Sequence, residues 1–305
     1  MLAALLLAFS PQPDAALIRR IFEEALARRE KQFGAADART AQAARDLGGF
    51  LGRQGDAAAA RAALAEAVRI DEAAFGPSAP ETLQDVAQLA ALSPPQQASP
   101  LWRRASEAAD PAVAVGALMA LGAAQAASGD GPGAASFYRR AVARQEAATG
   151  AESEPVAVCL NALAQVIEIP EGVALLHRAL AIDRTALGPQ HPQTATTEAN
   201  LAGLLVNARR YDEALAASAE ALSIFLETLG PDHPRCAIAA SILAFALDAK
   251  GEKARAEKMY RMALGIDQAA YGPQHPQTVS DRRALADFLR AAGRAREAAE
   301  LEKKR

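Results

Sequence analysis

The chain has 305 residues, 51% of them apolar but only 5% aromatic, with 23% charged and a net charge of −3. About 80 positions are alanine, the best helix former and a poor strand former. This balance excludes an all-β fold and a disordered chain, and it lacks the basic excess of a dedicated nucleic-acid binder. No apolar run reaches the length needed to span a membrane, so no integral membrane segment is expected.

At the N-terminus, Met1 to Ser10 is apolar and gives way to Pro11 and Pro13. Residues 1–13 therefore read in two ways. One is a short targeting signal, which would send the chain to the periplasm or outside the cell. The other is a short helix covering the open end of the core, with the chain left in the cytoplasm. Residues 14–305 read as one repeat array. Gly188-Pro189-Gln190-His191-Pro192, Gly230-Pro231-Asp232-His233-Pro234 and Gly272-Pro273-Gln274-His275-Pro276 recur every 42 residues. Gly76-Pro77-Ser78-Ala79-Pro80 is the same loop without its histidine, and Gly34 lies 42 residues before Gly76. In chain order this gives a partial unit at about 14–34, then 35–76, a degenerate 77–110, 111–150, 151–188, 189–230, 231–272, and a C-terminal cap at 273–305.

Each unit predicts two helices. In 189–230, Gly188 ends one helix and Pro192 starts the next, where its missing N–H costs nothing. Helix A runs to about Asn207, breaks at Ala208-Arg209-Arg210, and helix B runs from about Asp212 to Leu229. Fourteen residues after each loop glycine a small residue recurs: Gly48, Ala90, Ala202, Ala244 and Ala286. Leu51, Leu205, Leu247 and Leu289 follow three later, and helix B repeats small residues at Ala60, Ala214, Ala256 and Ala298. Small side chains at fixed spacing on both helices predict close backbone approach, with Leu64, Trp102, Tyr138 and Tyr260 filling the space between units.

Leu201-Ala202, Tyr211-Asp212-Glu213-Ala214, Ala221-Leu222-Ser223-Ile224 and the Gly-Pro-x-His-Pro loop together resemble the tetratricopeptide repeat, in the long-unit version of kinesin light chains. The resemblance weakens at 77–110, where Ser93-Pro94-Pro95 interrupts helix A, and no motor-associated coiled coil is present. It implies an all-α fold, a right-handed superhelical α-solenoid of stacked helix-turn-helix units. Its concave groove would be lined by helix A and would bind a protein or peptide partner. Carried onto this chain, the groove candidates are Asn161, Gln165, Asn200, Asn207, Phe245, Asp248, Arg283, Asp287 and Arg290. Asparagine can pair with both sides of a peptide bond, and Arg283 and Arg290 suit a carboxylate. Arg283, Asp287 and Arg290 also fit a solvated, self-paired helix face.

Three further features favour structural readings. His191, His233 and His275 recur once per unit, too far apart to share an ion, so they are expected to structure loops. Cys159 sits among apolar residues as a buried thiol, and Cys236 near a helix start has no evident partner base. The segment Ser93-Pro94-Pro95-Gln96-Gln97-Ala98-Ser99-Pro100 reads as a loop within the degenerate unit, with a docking peptide as the alternative. Phosphate loops, metalloprotease motifs and nucleophile elbows are missing, so neither catalysis nor a cofactor nor a metal is expected. The expected function is a non-enzymatic scaffold for protein–protein interaction. Self-association through the solenoid ends or convex face is the alternative.

Overall fold

A computed structural model describes residues 15–303. The N-terminal segment read above as a signal or a covering helix lies outside them. The described residues form fifteen α-helices and no strand. Two compact units divide at Arg144/Gln145, within α7. The first holds α1 (Ala15–Phe33), α2 (Ala38–Arg53), α3 (Ala57–Phe75), α4 (Pro80–Leu92), α5 (Pro95–Ala105), α6 (Pro111–Ala127) and the start of α7 (Gly131–Thr149). The second continues with α8 (Glu154–Ala164), α9 (Ile169–Ala186), α10 (Pro192–Asn207), α11 (Tyr211–Leu229), α12 (Pro234–Ala249), α13 (Lys253–Tyr271), α14 (Pro276–Ala291) and α15 (Ala295–Lys303). From α1 to α6 and from α8 to α15, each helix packs on the next in sequence, and α10 also touches α12. This is the pairwise stacking of a helical repeat.

The loop chemistry explains where helices begin. At the start of α10, α12 and α14, Nδ1 of His191, His233 and His275 accepts the backbone N–H of Gln193, Arg235 and Gln277 at 3.1, 3.1 and 3.3 Å. An accepting Nδ1 requires the neutral ring with its proton on Nε2. Each histidine thus does the work of the aspartate caps Asp37, Asp56 and Asp110 on α2, α3 and α6. Six residues after the loop glycine, Thr40, Thr82 and Thr194 donate their hydroxyls back to the carbonyls of Gly34, Gly76 and Gly188 at 2.8–2.9 Å. Cys236 occupies that same position, its Sγ 3.3 Å from the Gly230 carbonyl.

Between helices A and B, Gly55, Gly129, Gly251 and Gly293 take φ near +80°. Arg209 fills that position in unit 189–230 at φ +59°, the one non-glycine with positive φ among the described residues. The left-handed conformation costs an L-residue about 1–2 kcal/mol. Arg209→Gly is therefore expected to stabilise the second unit by about 1 kcal/mol, seen as a raised urea midpoint with an unchanged slope.

The small-residue positions are where helices touch. Ala90, Ala202, Ala244 and Ala286 are buried, as are Ala60, Ala214, Ala256 and Ala298. A Cβ on Gly48 would lie 2.8 Å from Leu64 Cγ, and one on Gly172 would lie 2.7 Å from the Ala164 carbonyl oxygen. Larger residues at these positions would push the helices apart. The proline-rich segment differs from the sequence expectation. Residues 95–105 form helix α5, with Pro95 in its first turn and Pro100 inside it. Only Ser93 and Pro94 separate it from α4. Proline at a helix start sacrifices no hydrogen bond, so a proline pair can open a helix as well as end one.

Candidate functional site

The outward face of the A helices in the second unit carries the polar and apolar groups that the core does not claim. On α12, Ile238 and Phe245 are 46% and 49% exposed, with half-buried Ile242 between them at the i, i+4, i+7 spacing of one helical face. Beside this stripe α10 presents Gly203, where an added Cβ would sit 3.9 Å from Ile242 Cδ1. The missing side chain leaves the stripe uncovered. Val158 on α8 and Val279 on α14 are also exposed apolar residues, at 40% and 38%.

Of the nine sequence-predicted residues, four converge. Phe245 and Asp248 on α12, and Arg283 and Asp287 on α14, line a single hollow of about 440 Å³ walled also by Tyr260 and Phe288. Arg283 is exposed and has no hydrogen-bond or ion-pair partner among the described residues. Asp248 is paired with the Lys253 ammonium. Arg290 turns away, bonding Asp287 Oδ1 at 2.8 Å and the carboxylate of Glu302. Gln165, the C-cap of α8, and Asn207, the last residue of α10, are exposed.

Asn161 and Asn200 meet each other. Asn200 Nδ2 donates to Asn161 Oδ1 at 3.0 Å, and Asn161 Nδ2 donates to the Ala157 carbonyl at 3.0 Å and to Thr197 Oγ1 at 2.8 Å. Thr197 in turn donates to buried Asp183 Oδ2 at 2.6 Å. Both ends of the Asn161 amide are thus committed inside the protein, whereas the Asn200 carbonyl oxygen accepts no hydrogen bond from the described residues.

This relay belongs to a register that the sequence reading missed. An aspartate five residues before the loop glycine recurs as Asp71, Asp183 and Asp267, each fully buried. Against it stands the residue nine after that glycine: Asp85, Thr197 or Asp281. A third partner comes from the preceding A helix: Arg45, Asn161 or Ser241. Arg45 Nη1 bridges Asp71 and Asp85 at 2.7 and 2.9 Å. Asp281 receives only the Ser241 hydroxyl, at 3.0 Å, and lies against Asp267, both of whose oxygens lack partners. Burial pushes Asp85 up to about 6 despite Arg45, and Asp281 up to about 6 with only a serine opposing it. Glu198 on α10 is also buried and pushed up to about 7, opposed by the Arg184 guanidinium at 2.6 Å. At the interface set by Gly230 the three positions are Phe225, Ala239 and Ala199, all buried. Burial likewise raises Cys159, to about 11, and Cys236, so both thiols stay protonated at neutral pH.

Residues 40–81 and 194–269 each match a tetratricopeptide-repeat family model. No curated protein matches the chain. Among solved structures, BtubC (BKLC) of P. vanneervenii is 22% identical with a TM-score of 0.56, covering 72% of this chain and 87% of that one. A kinesin-light-chain-type protein of Podosopora anserina with nearly identical TPR-like repeats is 23% identical with a TM-score of 0.53, covering 61% and 90%. A signal-transduction ATPase (STAND) protein of Pyrococcus horikoshii with a tetratricopeptide-repeat sensor is 14% identical with a TM-score of 0.64, covering 96% of this chain and 47% of that one.

Proposed function

Because this chain is a tetratricopeptide-repeat protein, a repeat type that generally mediates protein–protein interaction and is typically non-catalytic, we propose that it is a binding scaffold. Its second unit holds an extended segment of a partner protein on the faces of α10, α12 and α14. The observation that carries this reading is the hollow around Phe245 and Arg283. A large ring half open to solvent stands beside a guanidinium that has no partner among the described residues. Aromatic residues and arginine are both enriched at protein–protein interfaces. A partner side chain on Phe245 and Ile238 would bury apolar area, while Arg283 offers a planar fork to a carboxylate or backbone carbonyl. The Asn200 carbonyl oxygen adds an acceptor on α10.

Affinity capture with the intact chain, quantified by mass spectrometry, tests the proposal. The Phe245→Ala/Arg283→Glu double variant is expected to lose at least about tenfold of its main partner, which corresponds to about 1.4 kcal/mol or more. Glu227→Lys, a charge change on helix B, should leave capture intact. Equal recovery on the double variant and the wild type would reject the A-helix face as the binding surface.

A further inference from the structure

The first unit carries a hollow of a different character. It measures about 450 Å³ and lies between α4, α5 and α6. The single tryptophan of the chain, Trp102, lines it half-buried, together with Ala87, Ala91, Gly116 and Ala117. The hollow exists because α4 is 13 residues long where α2, α10, α12 and α14 have 16, and because its flanks carry almost no side chain. A Cβ placed on Gly116 would meet nothing within 4 Å.

Gln84 and Gln88 join this apolar hollow to a polar one of about 420 Å³ lined by Arg45, Asp46 and Glu81. The charge of the two together is acidic. Arg45 is the one cation lining either hollow, and Asp71 and Asp85 already hold it. Glu81 has no partner among the described residues. Asp46 receives only the neutral amide of Gln42, at 2.8 Å. Asp110 receives only the backbone N–H of Ala112, also at 2.8 Å. Asp110 at the apolar seat, and Asp46 and Glu81 in the adjoining polar hollow, thus have no cation to balance them among the lining residues.

We propose that the first unit binds a basic segment of a partner protein, seating one bulky apolar side chain against Trp102 while flanking lysine or arginine side chains meet Glu81, Asp46 and Asp110. The site stands apart from the Phe245–Arg283 hollow, whose unneutralised charge has the opposite sign. Charge complementarity selects the partner, and the tryptophan reports its arrival.

The test is a tryptophan-emission titration of the full chain with acetyl-Lys-Lys-Leu-Phe-Lys-Lys-amide, which has no indole of its own. A saturable shift in Trp102 emission is expected, weakening about tenfold as salt rises from about 50 mM to about 300 mM. Gly116→Leu, and separately Ala91→Leu, should fill the seat and abolish the response with helicity unchanged. Asp46→Asn/Glu81→Gln should weaken it about tenfold. The Phe245→Ala/Arg283→Glu variant should respond as wild type does, which separates this site from the one in the second unit. A flat titration, equal binding of acetyl-Glu-Glu-Leu-Phe-Glu-Glu-amide, or full responses from both seat-filling variants would overturn the proposal. So would an emission change that follows protein concentration alone, the mark of a second copy filling the site.

Discussion

Asp281→Asn is expected to make the protein more stable at pH 7.5, by about 3 kcal/mol, and to flatten its stability between pH 4 and pH 6.5. Asp281 and Asp267 are buried against each other at the α13–α14 interface, with the Ser241 hydroxyl as their one added donor. Burial raises Asp281 from the usual carboxylate value to about 6. Between pH 4 and pH 6 the folded chain therefore holds a proton that the unfolded chain has released. Stability from that proton is fully present below about pH 4 and is lost as pH rises through about 6. The asparagine amide cannot ionise. It can keep the Ser241 hydrogen bond on its oxygen and donate its nitrogen to Asp267. Urea unfolding of both proteins across this pH range checks the claim, and equal slopes in the two would contradict it. Asp85 is pushed up to about 6 as well, even with Arg45 bridging it to Asp71, so the same linkage predicts that Asp85→Asn also gains stability at neutral pH.

Phe225→Ala should destabilise the second unit by about 3–5 kcal/mol, the range for truncating a fully buried phenylalanine. Phe225 is 1% exposed, and its register neighbours Ala239 and Ala199 are 0% and 4% exposed, so little can move in to refill the space. Phe225→Asp should cost still more, because it leaves a carboxylate in the same position without a donor. The combination Phe225→Asp/Ala239→Thr/Ala199→Asn copies Asp183, Thr197 and Asn161 from the neighbouring interface. It should recover part of the loss of Phe225→Asp alone. Hydrogen exchange in α11 and α12 gives the local readout. A triple variant no more protected than the single one would show that the three positions do not act together.

Much of the fold was legible in the residues because its rules are local. Loop glycines and the prolines after them set where helices stop and start, and a 42-residue spacing needs no tertiary knowledge to detect. The small residues at Gly48, Ala202 and Ala244 were readable as contacts because only small side chains permit backbones to approach, and the distance from Gly48 to Leu64 confirms this. The histidines were readable as loop-structuring residues, but not as caps accepting through Nδ1, since a cap is a matter of torsion angles. The prolines at 93–100 were misread because proline both ends and begins helices, and composition does not distinguish the two.

The candidate site was less legible, and the reason is physical. A helix-periodic pattern says which residues share a face but not which atoms on neighbouring helices satisfy one another. Sequence alone therefore ranked Asn161 with Asn200 and Asn207, whereas the packed helices commit Asn161 to Thr197 and Ala157. It treated Arg283 and Arg290 alike, whereas Arg290 is held by Asp287 and Glu302 and Arg283 has no partner among the described residues. The buried aspartates were hidden for a related reason. A charged side chain counts as surface until its partners are known, and those partners come from two other helices. The residues alone set the repeat, most of its helix starts and its close contacts, all governed by conformational preference and side-chain size over a few residues. Which polar groups are spent inside and which are left for a partner was decided only by tertiary structure, because hydrogen bonding and desolvation depend on atoms brought together from distant parts of the chain.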